Sequence, residues 1–250
     1  MSDPVLVEAC VDSIESAAAA AEGGARRLEL CANLVEGGTT PSAGTIALAR
    51  ERDVALHVMV RPRGGDFCYT AREFESMRHD VREARRYGAD GVVFGLLAPD
   101  GTIEEGRTRI LIEEARPLQV TVHRAFDLSR DPVEALDTLI ALGVDRVLTS
   151  GQQATALEGV PLIRSLVKRA AGRIGILPGG GITAANVADV VRATGVREVH
   201  VHAARSFSSP MLYRNPRVVM GGPYTPDEYR RAETAADQIV AVVHAIAALP

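Results

Sequence analysis

Apolar and polar residues alternate along this chain in short runs, and between those runs the apolar positions recur every three or four residues. The first pattern reads as half-buried strand and the second as amphipathic helix. Strands are expected at 4–10, 26–31, 54–61, 91–96, 118–124, 145–149, 173–178 and 197–202, and helices near 12–23, 42–52, 70–87, 104–115, 131–142, 159–171, 183–194 and 225–248. Several helix ends are legible: Asp12 and Thr183 as N-caps, Asp131-Pro132 as cap and first turn, Gly143 and Gly195 as stops. The segments GGARRLEL, YGADGVVFG, LGVDRVLTS and TGVREVHVH repeat one unit of helix stop, turn and strand. Eight strands, each followed by a helix and with no Pro/Ser-rich linker, predict a single α/β domain over 1–250, a (β/α)8 TIM barrel. A doubly wound open sheet is the alternative, and the repetition favours the barrel.

The polar face of each strand says where chemistry belongs, because barrel sites lie at the C-terminal strand ends. Opposite the apolar face stand Glu8 and Cys10, Glu29 and Cys31, His57 and Arg61, Thr121 and His123, and His200 and His202. A single buried polar residue on a strand is ordinarily a satisfied structural group. Five strands with the same bias predict a polar, functional mouth.

Composition narrows the classes. Hydrophobic residues at 46 % and charged residues at 24 % are ordinary for a soluble globular chain. A net charge of −4 lacks the basic footprint of a nucleic-acid binder. No apolar run approaches the roughly 20 residues that span a membrane. The first apolar run is broken at Glu8 and Asp12 and has no basic flank, so a signal peptide is not expected. Cys10, Cys31 and Cys68 are too widely spaced for a disulfide framework or a zinc ribbon, which favours a reducing cytoplasm. Of 28 basic residues 27 are Arg, and the one lysine, Lys168, falls in the expected helix 159–171, outside the barrel. A Schiff-base aldolase needs a lysine in the mouth, so that mechanism is excluded. The only H-x-H, His200 and His202, is on the last strand, where a two-metal hydrolase would carry it early. No organic cofactor is implied.

Three constellations remain. Cys10 and Cys31 lie near the ends of adjacent strands, with His200 and His202 on the strand that closes the barrel beside them. Soft thiolates suit Cu(I), and the imidazoles are possible further metal ligands; as a bland alternative, a free cysteine is a small buried hydrophobe. The second constellation is RPRGGDFCYT at 61–70 with HRAFD at 123–127. Arg61, Arg63 and Arg124 have guanidinium forks suited to carboxylate or phosphate, and Glu8, Glu29, His57 and His123 are candidate catalytic acids or bases. The same groups also suit a network of buried ion pairs. The third is LPGGGITAAN at 177–186, where Gly179, Gly180 and Gly181 lead into a helix and form a candidate anion site, or a tight turn that closes the barrel. Two readings follow: a Cu(I)-binding protein, or a barrel enzyme acting on a small anionic or phosphorylated metabolite.

The runs E-x-C-V-D-S, LELCANLVEGGTTPSAG, HVMVRPRGGDFCYT, YGADGVVFG, HRAFD, DRVLTSG, ALEG, LPGGGIT and REVH, with Met211, Tyr213, Arg214 and Asn215 downstream, resemble the CutC family in collinear order from about 5 to 222. The resemblance implies a TIM barrel and a cytoplasmic copper homeostasis protein that binds Cu(I), often as a homo-oligomer, dimer or tetramer. It places the copper role on Cys10 and Cys31. After REVH the chain departs from the family's small residues with VHAARS, which adds His202 as a further ligand or a charge-switchable group in the mouth.

Overall fold

A computed structural model describes residues 4–220 and 227–249. Eight parallel strands form one sheet: β1 (Leu6–Val11), β2 (Arg27–Leu30), β3 (Ala55–Met59), β4 (Gly91–Phe94), β5 (Gln119–Val122), β6 (Arg146–Thr149), β7 (Gly175–Pro178) and β8 (Glu198–Val201). Around them run α1 (Ile14–Glu22), α2 (Ala43–Arg50), α3 (Ala71–Arg86), α4 (Glu105–Ala115), α5 (Pro132–Leu142), α6 (Val160–Ala170), α7 (Val187–Thr194) and α8 (Ala236–Ala247). The sheet order β7-β6-β5-β4-β3-β2-β1-β8 is that of the expected (β/α)8 barrel. Its last seam, between β7 and β8, carries no backbone ladder among the described residues. Side chains fill that seam instead. A Cβ on Gly175 would meet Glu198 Oε1 at 2.6 Å, and one on Gly179 would meet His200 Cβ at 3.1 Å, so glycine at both ends of β7 makes room for β8.

The core lies between strands and helices. Val7, Ala9 and Val11 on β1, Leu28 and Leu30 on β2, Leu56 and Val58 on β3 and their equivalents face outward onto the helices and are buried. The opposite parity faces the barrel axis and is polar on β1, β2, β5 and β8, with Met59, Val93, Leu148 and Leu177 as its apolar members on the other strands. At the floor, Arg27 pairs with Glu8 and donates to Glu198 Oε2 at 2.6 Å, while Arg146 reaches the same carboxylate at 3.0 Å and Gln119 Oε1 at 3.0 Å. His57 stacks in one layer higher because β4 offers Gly91 opposite it: a Cβ there would lie 2.6 Å from His57 Nε2.

The helix signals held with small shifts. Asp131 caps α5 through Val133 and Glu134, and Gly143 and Gly195 end their helices at φ +75°. Ser13 rather than Asp12 caps α1, since its hydroxyl accepts from Ser16 N, and α7 begins after Asn186, with Thr183 one turn upstream. Lys168 lies exposed on α6, outside the barrel as expected. The helix expected over 225–248 is the clear correction. Residues 225–226 lie outside the described residues; Arg230–Thr234 form β10, antiparallel to β9 (Ala204–Ser208), and only Ala236–Ala247 are helical. Both strands of this arm are mostly exposed and polar, so neither shows apolar alternation, and tertiary pairing overrides the helix-forming Arg, Ala and Glu. Thr234 N anchors the arm to Ser16 Oγ at 3.0 Å. Among the described residues no helix is long and apolar enough to cross a membrane.

Removing one partner of a buried pair strands the other charge. Arg27→Met should therefore destabilise the protein by about 3–5 kcal/mol, measured by urea unfolding, since Glu8 and Glu198 lose their counter-ion; a cost below about 1 kcal/mol would contradict the role given to this network.

Candidate functional site

Strand pairing sets the site. Cys10 stands opposite Glu29 on β2, Glu29 opposite His57 on β3, and Glu8 opposite His200 on β8. Cys31 follows β2 and stays in register, its N donating to Val11 O at 2.8 Å. The two thiols are consequently diagonal neighbours, Sγ to Sγ 4.0 Å, and both are buried. The EGG turn then folds back over them: Gly38 has φ +89°, and a Cβ there would lie 3.1 Å from Cys31 Sγ. Only glycine lets the loop pass this close. Met59, Val93 and Leu34 make the thiols' apolar wall. On their polar side Cys31 Sγ donates to Glu29 Oε2 at 3.6 Å, which is 3.8 Å from His200 Nε2, and His200 Nδ1 is 2.7 Å from Glu8 Oε1.

The charges in this cluster are unequal. Burial opposes ionisation of Glu8, but Arg27 and the hydrogen bond and charge of His200 outweigh it, so its carboxyl sits well below the usual range. Burial, with the negative charge of Cys10 and Glu8, outweighs the nearby His200 and pushes Glu29 well above the usual range, and it is the neutral acid of the pair. For Cys10 the hydrogen bond with Cys31 and the proximity of His200 overcome burial and lower the thiol well below its ordinary value. Cys31 moves the opposite way, raised by its bond with Cys10, by burial and by Glu29. Burial works against protonated His200, yet Glu29, Cys10 and Glu8 together raise it well above its ordinary value. The arrangement is one thiolate, one thiol, a cationic imidazole and a neutral carboxyl. The donor atoms of Cys10, Glu29 and Cys31, and likewise those of Glu8, Glu29 and His200, lie within 4.8 Å of one another.

Cys10, Glu29 and His200 of this cluster line a mouth cavity of about 500 Å³, whose wall also includes His202, Arg61, His123, Arg124, Gly180 and Gly181. Arg61 is buried and largely committed, Nη1 to the carbonyls of Glu36 and Gly38 at 2.8 Å each and Nη2 to Gly65 O at 3.0 Å. Its guanidinium shapes the EGG and RGG loops, and only Nε is without a partner. His123 lines the cavity beside Phe67, its Nδ1 accepting from Ala125 N at 3.1 Å. A Cβ on Gly95 would lie 2.7 Å from that nitrogen, so glycine here admits the ring. Burial, and then the charge of Arg61, lower His123 to about 3.

Other expected site residues are elsewhere. Arg63, half-buried and outside the cavity wall, is bound to Glu73, Asp66 and the Cys68 carbonyl, where it braces the loop. His57, one layer above the floor, and Glu8 are buried and outside the cavity wall, and burial lowers His57 to about 4. Gly179 is part of the β7–β8 seam rather than the cavity wall, and His202, although exposed, is in that wall. Sequence reasoning missed Arg27, Arg146 and Glu198, which carry the floor. For two of them the signal was available, since Arg27 has the parity of Glu29 and Glu198 that of His200; Arg146 shares its parity with the apolar Leu148 and left none.

The sequence profile of the CutC family matches residues 5–205. A CutC family protein of Mesorhizobium japonicum is 52 % identical over 241 residues, 96 % of this chain and 93 % of that one. The copper homeostasis protein cutC homolog of Mus musculus is 50 % identical over 225 residues, covering 90 % and 83 %. A crystal structure of CutC from Streptococcus agalactiae superposes with a TM-score of 0.75 at 34 % identity, over 78 % of this chain and 97 % of that one.

His57 and His123, neutral in the fold, should remain so down to about pH 4 and about pH 3, while His200 holds its proton above 6.5, as imidazole NMR shifts would report. For His123 the unfolded chain takes up a proton near 6.5 that the folded chain refuses, so its contribution is full above 6.5 and is lost as pH falls toward 3. In His123→Gln the fall in unfolding free energy between pH 6.5 and about 4 should flatten; an unchanged slope would contradict the assignment.

Proposed function

Because the chain belongs to the CutC family, we propose that it is a copper homeostasis protein that holds Cu(I) between the thiolates of Cys10 and Cys31. The observation that carries this is the pair of buried sulfurs 4.0 Å apart, with Cys10 in the cavity wall. Metal–sulfur bonds of roughly 2.3 Å let a single ion touch both sulfurs at that spacing. Soft thiolates select Cu(I) over the hard cations that the carboxylates alone would take.

Charge balance favours a monovalent ion. Cys10 is already ionised beside His200, and Cys31 carries the proton. An entering Cu+ that displaces the Cys31 proton leaves the buried charge unchanged, whereas a divalent ion adds one uncompensated charge to a dry site. Glu29 is already protonated, so it passes that proton on as a relay: Oε2 accepts from Cys31 Sγ at 3.6 Å while the carboxyl releases the proton it holds to the cavity it lines. His200 holds the charge of the thiolates, and Glu8 and Arg27 hold His200. His202, in the cavity wall, is the remaining candidate ligand.

Reduced thiols are the working form, which suits a reducing cytoplasm. The exposed Leu212, Tyr213 and Met220 beyond the β9 arm suit contact with a second copy, a homo-oligomer that sedimentation velocity reads directly.

An anaerobic Cu(I) titration against a competing chelator tests the reading. One equivalent should bind, and Cys10→Ser or Cys31→Ser should each weaken it by more than the roughly 10–100-fold that loss of an outer-sphere partner costs. Affinity should also rise about tenfold per pH unit, one proton leaving for each ion. Full binding in the double serine variant would return both cysteines to the core.

A further inference from the structure

The cavity wall has donors that the copper reading does not use. After β7 the chain turns through Gly180 and Gly181 at φ +102° and +70°. The loop is held rigidly by its other groups: Gly180 O accepts from Ala156 N at 2.9 Å, Gly181 O from Asn186 Nδ2 at 2.8 Å, and Thr183 N donates to Asn186 Oδ1 at 2.8 Å. The backbone N–H groups of Gly180, Gly181 and Ile182 have no acceptor among the described residues. Consecutive free amides in such a turn form an anion-binding concavity.

Arg124 completes the concavity. Its Nε donates to Asp127 Oδ2 at 2.8 Å and its Nη2 to Ser150 Oγ at 2.7 Å, which fixes the guanidinium plane. The remaining Nη1 lies over the loop, 3.6 Å from where a Cβ on Gly180 would be. Glycine leaves that space to a ligand. Two further donors in the same cavity wall are buried and unpartnered. His123 is 4 % exposed, and with Nδ1 accepting from Ala125 its hydrogen is on Nε2, which has no acceptor; Arg61, 5 % exposed, has no acceptor for Nε. Buried donors are ordinarily paired, so these call for a ligand. Of the carboxylates nearby, Asp127 is already bound to Arg124 Nε and Ser150 Oγ, and Glu36 leans toward Gly64.

The geometry points to a phosphate-monoester subsite formed by the Gly180–Ile182 amides and Arg124, with the ligand's organic body running across the cavity toward Glu29 and His200. Amides and a guanidinium converging from two loops outnumber the two oxygens of a carboxylate and match a phosphate. The cavity, at about 500 Å³, is of the size that encloses an organic molecule rather than one tetrahedral ion. The subsite is independent of copper: its donors are hard N–H groups, and neither sulfur is among them.

Isothermal titration calorimetry on the full, metal-free chain tests this, with inorganic phosphate, glycerol 3-phosphate and glycerol as probes. Glycerol 3-phosphate should bind one to one and more tightly than phosphate, and glycerol should give no heat. Arg124→Gln should weaken both phosphates at least about tenfold, the scale of one charge-assisted hydrogen bond, and Arg124→Lys, which keeps the charge beside Asp127, should recover part of the loss. Arg130→Gln, on a guanidinium that faces Asp100 and Glu134, should bind as the wild type does. Absence of saturable binding, or equal affinity in Arg124→Gln, overturns the subsite; phosphate binding without glycerol 3-phosphate binding overturns the monoester. Copper is absent throughout, so a failure here leaves the thiol site standing, and loss of Cu(I) binding leaves this subsite standing.

Discussion

The buried contact between Arg27 and Glu8 determines how everything above it is charged. A barrel interior is ordinarily filled by branched apolar side chains. Here the floor is Arg27, Arg146, Glu8 and Glu198, and the apolar core is displaced to the strand–helix interface. Glu8 stays ionised against burial because Arg27, and after it His200, are beside it. An ionised Glu8 keeps His200 protonated, and a protonated His200 lets Cys10 be a thiolate inside a dry wall. Each step uses the charge of the one below, so the reactivity of the sulfur at the mouth depends on a guanidinium at the floor.

Glycine governs the other half of the geometry. Gly91 and Gly95 on and after β4 leave space for the rings of His57 and His123, Gly175 and Gly179 leave space for Glu198 and His200, and Gly38 brings its loop over Cys31. Large polar groups on one strand are matched by missing side chains on the next. That is how a narrow barrel holds so many ionisable groups in two layers without opening into a pore.

Strand parity made much of this legible in the sequence. Glu8, Cys10, Glu29, Cys31, His123 and His200 were placed on one inner face from alternation alone, and the structure brings Cys10, Glu29, Cys31 and His200 together. Parity says inward, though it does not say how deep, which is why His57 and Glu8 read as site residues and prove to lie outside the cavity wall. It also cannot separate Arg61 from Arg63, two residues apart in one loop: the first turns in to hold carbonyls, the second turns out to Glu73. The β9–β10 arm left no signal because its strands are polar and its partner is distant in sequence.

The central claim is that two sulfurs, positioned by neighbouring strands and charged from below, take one soft monovalent ion. Copper K-edge X-ray absorption on the Cu(I)-loaded chain tests it most directly. The account predicts a first shell dominated by two sulfur scatterers, with one sulfur lost in each of Cys10→Ser and Cys31→Ser. A shell made only of nitrogen and oxygen, or a sulfur shell unchanged in either variant, would contradict it.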